Sequence, residues 1–307
     1  MSGPVSSHDT DADRHHDEAR PPCVEVIEGR VTDLQGLEVV RLLPRRPRRT
    51  VGAWCFADHF GPTSVDVSRM DVGPHPHIGL QTVTWLIDGE LLHRDSLGSE
   101  QLIVPGQLNL MTAGRGVSHS EETPDDAYGD LHGIQLWVAQ PEATRFGEPA
   151  FEHHDRLPQV ELDGGARATV LVGELAGARS PARHDTPLVG ADLVLDVALV
   201  TGLNPAFEHA LIVLEGRITV DATDVPTGHL AYLGVGRDEL DLVVEDHARA
   251  LLIGGEPFGE DLVMWWNYVA RSRDEVAEAH RQWRARDPRF GEVASPLPRI
   301  DGPERVI

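Results

Sequence analysis

Two short pairs carry the residue types with which this chain could do chemistry. They are His75 with His77 and His119 with Glu121, each pair separated by one residue. Side chains on a strand alternate with a period of two, so on strands each pair would face one way. Three imidazole nitrogens and one carboxylate oxygen then form a donor set suited to a divalent first-row metal. Four protein ligands leave one or two positions open on a metal that prefers five or six. An open position is what separates a catalytic centre from a structural one. No thiolate is in the set, so Cu(I) is not specially favoured. The set points to one metal, Fe(II), with Mn, Ni, Co, Cu or Zn as substitutes under the general affinity order.

The residues between the pairs have to supply those strands, and they read that way. Thr82 to Ile87 is β-branched and aromatic, and Asp88-Gly89 is a strong hairpin signal. Pro105-Gly106 marks a second turn, after which Leu108, Leu110 and Thr112 alternate towards Gly114-Arg115-Gly116. His93-Arg94-Asp95-Ser96 is either polar scaffolding that orients the ligands by hydrogen bonds or strand-edge polarity.

At these residues the chain resembles a cupin, and more closely the pirin family. The matching pieces are Pro74-His75-Pro76-His77, Gly79, Asp88-Gly89-Glu90, His93-Arg94-Asp95, Pro105-Gly106, and Met111 to Gly116 running into His119-Ser120-Glu121. His132 to Trp137 continues the match, which covers roughly residues 23 to 270. The resemblance implies an all-β bicupin fold, two tandem jelly-roll-like barrels followed by a short helix. It also implies that His75, His77, His119 and Glu121 are the metal ligands. Gln81 departs from the wider cupin pattern, where many members have a ligating Glu; in pirins the carboxylate comes from the position of Glu121.

The chain has 307 residues, enough for two modest domains. No apolar run approaches the roughly 20 residues of a membrane span, and the N-terminus has no signal-peptide core. The two cysteines, Cys23 and Cys55, are too few for a disulfide framework and suit a reducing cytoplasm. A formal charge of −23 argues against direct nucleic-acid binding, because phosphates would be repelled.

Residues 1–22 are acidic with almost no apolar partner and read as a disordered tail. Residues 23–165 are assigned to the metal-bearing barrel, 166–270 to a second barrel, and 271–307 to a helix and tail. Arg41 to Arg49 is the one strong positive patch; a hairpin loop with solvated arginines is favoured over a docking site for an acidic partner. His59 is read as a hydrogen-bonded structural histidine and Cys55 as inert core.

Residues 166–254 contain short apolar runs at turn-bounded spacing, an all-β signal. Matching Leu211 to Gly216 with the first hairpin sets Gly202 against His75 and Asn204 against His77, and no His-x-Glu follows Pro226-Thr227-Gly228. The repeat is present as a fold and missing as a metal site, with His209 left alone. Ser272-x-x-Glu275 is a capping box opening a helix that ends before Pro288.

For function, the resemblance implies a quercetin (flavonol) 2,3-dioxygenase acting on a flavonol and O₂, with Glu121 as general base. The alternative is a non-catalytic, metal- or redox-sensing regulator that binds a transcription factor or metabolic enzyme. A sugar isomerase is more distant, since its phosphate-binding signals are missing.

Overall fold

The computed structural model describes residues 24–34, 36–46 and 48–304. The acidic tail anticipated over residues 1–22, like Cys23, lies outside the described residues. Two facing pairs of antiparallel sheets carry the chain. In the first pair, a seven-stranded sheet runs in spatial order Ala150–His154, Leu108–Thr112, Leu80–Asp88, Asp130–Ala139, Trp54–Ser64, Leu37–Leu43, Arg30–Leu34. Its four-stranded partner runs Val72–His77, Val117–Glu122, Leu91–Asp95, Glu100–Ile103.

The second pair repeats that plan strand for strand. Its large sheet is ordered Glu25–Glu28, His229–Gly234, Glu208–Glu215, Ala248–Gly255, Leu188–Leu195, Arg167–Leu175, Gln159–Glu161, with Ala178–Arg179 pairing off the side. The small sheet is Ala198–Gly202, Glu239–Val243, Arg217–Val220, Thr223–Pro226. The repeat read from the sequence is therefore a repeat of topology, and the all-β bicupin architecture holds.

Three segments sit in a different half from the one their place in the chain suggests. Glu25–Glu28, placed by sequence in the first barrel, pairs with His229–Gly234 at the edge of the second large sheet. Gln159–Glu161, also placed in the first barrel, pairs with Arg167–Leu175. The hairpin Val263–Trp265/Tyr268–Ala270, assigned to the second barrel, docks on the first: Val269 N donates to Ile78 O at 3.1 Å. An alternating strand records which face is apolar but not which sheet edge it will join.

The strand Leu80–Asp88 is buried on both faces over most of its length, and the cores explain why. Val83 and Trp85 join residues of the other half, among them Ile212, Leu214 and Leu251, in one cluster where the large sheets pack back to back. Leu86 and Leu80 point into the first barrel, where the apolar interior is divided between two clusters. The second barrel's interior is a single continuous cluster that includes Leu211, Val213, Leu240 and Leu242. Each such side chain taken from water contributes roughly 1.5–3 kcal/mol. Trp54 ties the halves together, its Nε1 shared between Val189 O and Gly254 O, both at 3.1 Å.

The single described α-helix, Arg273–Arg284, has the predicted N-cap: Ser272 Oγ accepts from Glu275 N at 3.2 Å. Glu275 does not close the box onto Ser272; its carboxylate takes Arg271 N and the Arg145 guanidinium. The helix buries Val276, Ala279 and Trp283 against the hairpin and Phe290. Beyond it the chain returns to the first barrel, with Ser118 Oγ donating to Phe290 O (2.8 Å) and Ile300 N to Pro74 O (2.9 Å). No helix among the described residues is long and apolar enough to cross a membrane.

Candidate metal centre

His75 and His77 lie on Val72–His77, and His119 lies on the neighbouring strand Val117–Glu122, directly opposite His75. All three are buried, and their candidate ligand atoms lie within 4.8 Å of one another. Glu121 is not in that group. A register shift falls between the His119–His75 and Glu121–Val72 pairings, with the extra residue on the Val72–His77 strand. Glu121 still opens onto the same cavity as the three imidazoles. Its Oε1 lies 3.3 Å from the Thr84 hydroxyl, which is also 2.8 Å from Gln135 Oε1.

Hydrogen bonds set the tautomers. His75 Nδ1 donates to Gly73 O at 2.9 Å and His77 Nδ1 to Asn267 O at 3.0 Å. His93 Nε2 donates to Asp95 Oδ2 at 3.1 Å, which leaves its Nδ1 to accept from His119 Nδ1 at 3.3 Å. Each of the three Nδ1 atoms is thereby protonated and each Nε2 holds a lone pair. This is the usual outer-shell arrangement around metal-bound histidines. Asp95 is itself held, its Oδ1 accepting from Leu97 N and Ser99 N, both at 2.9 Å. Of the two readings of His93 and Asp95, the geometry takes the hydrogen-bonded scaffold, here one that orients His119.

The Nε2 atoms of His77 and His119 face each other at 3.0 Å. Two ring nitrogens this close share either a proton or a metal ion. Ligands about 2.1 Å from a metal and at right angles to each other are about 3.0 Å apart. The donor set and its spacing fit a divalent metal.

Burial, with repulsion between neighbouring imidazoles, holds His77 and His119 well below the usual histidine range. Burial likewise takes His75 down to about 4. The imidazoles are therefore neutral at pH 7, the form a metal requires. Burial pushes the Glu121 carboxyl up to about 7, against a smaller opposing effect of the Thr84 hydroxyl.

The cavity over the cluster has a volume of about 320 Å³. Phe56 and Trp137 form one wall, stacked with centroids 4.0 Å apart and planes at 15°, and Trp137 meets the His77 ring edge-on at 5.2 Å. Arg41 and Asp58 reach the same cavity as a bidentate pair, at 2.8 and 2.7 Å. Trp266, Asn267 and Ile300, from the far end of the chain, complete it.

Sequence reasoning misses several of these residues. It leaves Arg41 in a solvated loop; Arg41 is two residues after buried Val39 on one strand, so strand alternation could have turned it inward. Arg48 is not merely solvated either, lying over the Tyr232 ring at 3.6 Å and pairing with Glu25 at 3.2 Å. No residue-type signal could have found the Gly73 and Asn267 acceptors, which are backbone carbonyls. His59 is hydrogen-bonded as anticipated, its Nε2 2.8 Å from His132 Nε2. Cys55 is buried, with its thiol pushed up to about 12, and is inert.

Two facing-sheet barrels in tandem, one with a buried imidazole cluster at its mouth, define a two-barrel cupin. A family model described as Pirin matches residues 36–138, and one described as Pirin C-terminal cupin domain matches residues 192–291. A protein of Pseudomonas aeruginosa named "Putative quercetin 2,3-dioxygenase" is 45% identical, over 99% of this chain and 97% of its own length. A "Pirin-like protein" of Caulobacter vibrioides is 36% identical over 85% of this chain and 92% of its own. The crystal structure of a quercetin 2,3-dioxygenase from Acinetobacter baumannii superposes with a TM-score of 0.87 at 44% identity, covering 91% of this chain and 95% of that one. The chain belongs to the pirin family of the cupin superfamily.

Proposed function

We propose that the protein is a metal-dependent flavonol 2,3-dioxygenase of the quercetinase type, with His75, His77, His119 and Glu121 as ligands and Fe(II) as the metal. One observation carries the reading: three buried imidazoles with their Nε2 atoms turned together lie at the base of a cavity walled by stacked Phe56 and Trp137. The relatives named for quercetin dioxygenation, and their coverage of the whole chain, support it.

The cavity's volume lies within the usual range for small-ligand sites, and its aromatic wall suits flat fused rings. Phe60, Met70, Val72 and Ile300 keep water from the reacting edge. A bound divalent metal would lower the pKa of the flavonol 3-hydroxyl and pass electron density from the deprotonated ring towards O₂. Glu121, which opens onto the cavity, takes the 3-hydroxyl proton on a carboxylate oxygen. Thr84 steadies that carboxylate. Asp58 fixes Arg41, which holds a substituent of the substrate at the cavity wall.

The test is anaerobic metal analysis followed by oxygen uptake with a panel of flavonols. Replacing Glu121 by Gln should lower turnover by roughly 10²–10⁴, the size of a lost general base, and by more than metal occupancy falls. Loss only in proportion to metal would make Glu121 a ligand and not a base. Fully loaded protein that consumes no oxygen with any flavonol would overturn the enzyme reading in favour of a metal-sensing regulator.

A further inference from the structure

The second barrel has its own cavity, of about 400 Å³, at the mouth where the first barrel has its histidines. Gly202 and Asn204 lie on its rim; strand register sets Thr201 and Leu203, not these two, against His75 and His77, because Leu240, the counterpart of His119, pairs with Thr201. His209 lines it from the strand Glu208–Glu215 and is only 1% exposed. Its Nδ1 is buried without a hydrogen-bond partner among the described residues. A buried polar atom left unpaired is unfavourable, so a hydroxyl that reached this edge of the ring would be stabilising there.

Strand register shows what stands in place of the first barrel's aromatic wall. His209 pairs with Gly254, and Gly254 pairs with Val189. In the first barrel Thr82 pairs with Trp137, and Trp137 with Phe56. The turn glycines Gly89 and Gly216 each come seven residues after Thr82 and His209, which confirms the equivalence. The stacked pair Phe56 and Trp137 is thus replaced by Val189 and Gly254, and an aromatic wall is missing. A Cβ at position 254 would come within 2.6 Å of His209 Cδ2, so the imidazole needs that glycine.

The remaining surroundings limit the occupant. Leu175, Leu188, Leu203 and Phe207 supply apolar walls, the Phe207 ring lying 6.0 Å from the imidazole. Arg179 at the rim is already paired with Glu174 at 2.8 Å, so the site has little net charge to offer. Neutral imidazole can exchange one hydrogen bond with a hydroxyl. We propose that the second barrel is a small-molecule site for a single-ring phenol, whose ring lies among Val189, Leu188, Leu203 and Phe207 and whose hydroxyl meets His209. This does not depend on the dioxygenase reading.

Phenol itself is the probe, titrated into metal-free protein with ¹³C-labelled histidines so that coordination in the first barrel plays no part. The His209 ring signal is identified by its disappearance in His209→Gln. We expect a saturable shift of that signal with phenol and roughly tenfold weaker saturation with benzene, which lacks the hydroxyl. Asn204→Trp, at the exposed rim, should block the shift without touching His209. If His209→Gln fails to fold, a histidine signal that phenol moves in wild type but not in Asn204→Trp identifies the site. A His209 signal that phenol leaves unmoved, benzene binding as tightly as phenol, or a shift that survives Asn204→Trp would each overturn the proposal.

Discussion

His93→Phe should weaken metal binding while leaving every candidate ligand in place. The phenyl ring would keep the stack on Phe151, where the imidazole now lies with centroids 4.4 Å apart and planes at 13°. What it removes is the acceptor for His119 Nδ1, 3.3 Å away in a site where His93 is only 5% exposed. In the metal-bound protein His119 Nε2 must hold the lone pair, so its Nδ1–H would be buried with no partner, a penalty of about 1–3 kcal/mol. The metal-free protein escapes part of this by shifting the proton to Nε2, so the penalty falls mainly on the bound state. Loss of an outer-shell partner weakens metal affinity by about 10–100-fold, which at about 1.4 kcal/mol per tenfold is about 1.4–2.8 kcal/mol. The two routes agree. Competition against a chelator of known affinity measures the change, and the melting temperature of the metal-free protein controls for folding. Affinity within about twofold of wild type, in a folded variant, would refute the idea that His93 orients His119.

Metal analysis should find one metal per chain, lost in His119→Ala and unchanged in His209→Ala; two metals per chain would contradict the single-site assignment. Metal-free protein should lose stability as pH falls from about 6.5 towards 4. Burial depresses His75 and His209 to about 4 and His59 to about 3, so the unfolded chain binds protons that the folded one refuses. Denaturant midpoints that stay flat over that window would count against the burial argument. Trp283→Ala should destabilise by roughly 3–5 kcal/mol, since the ring is 3% exposed and packs on Phe290 at 5.6 Å; chemical denaturation checks it.

The clustering of His75, His77 and His119 was legible because strand period and residue type are both local. Two His-containing pairs bracketing a hairpin can meet if their strands lie beside or opposite each other, and here they adjoin. The capping residue Ser272 was legible for the same reason. Edge pairing was not: nothing in Glu25–Glu28 says that its partner is His229–Gly234, about two hundred residues away. Nor could residue spacing place Asn267 beside His77 or Ile300 over the cavity, because those contacts are made by backbone atoms and by a chain that doubles back. Nor does periodicity say how far the Glu121 carboxylate stands from the imidazoles, with which it shares a cavity without joining their 4.8 Å group.

The return of the C-terminal segment has a consequence for the order of events during synthesis. The barrel that holds the histidines is translated first, yet the carbonyl that fixes His77 belongs to Asn267, and the pocket wall includes Ile300. A nascent chain with only its first half outside the ribosome can pair the strands that carry the histidines but cannot finish their surroundings. Domains translated early usually fold early; here the earlier barrel is completed only once Asn267 and Ile300 have been made. Chains that stop short of Asn267 would therefore lack both the acceptor for His77 and part of the cavity wall.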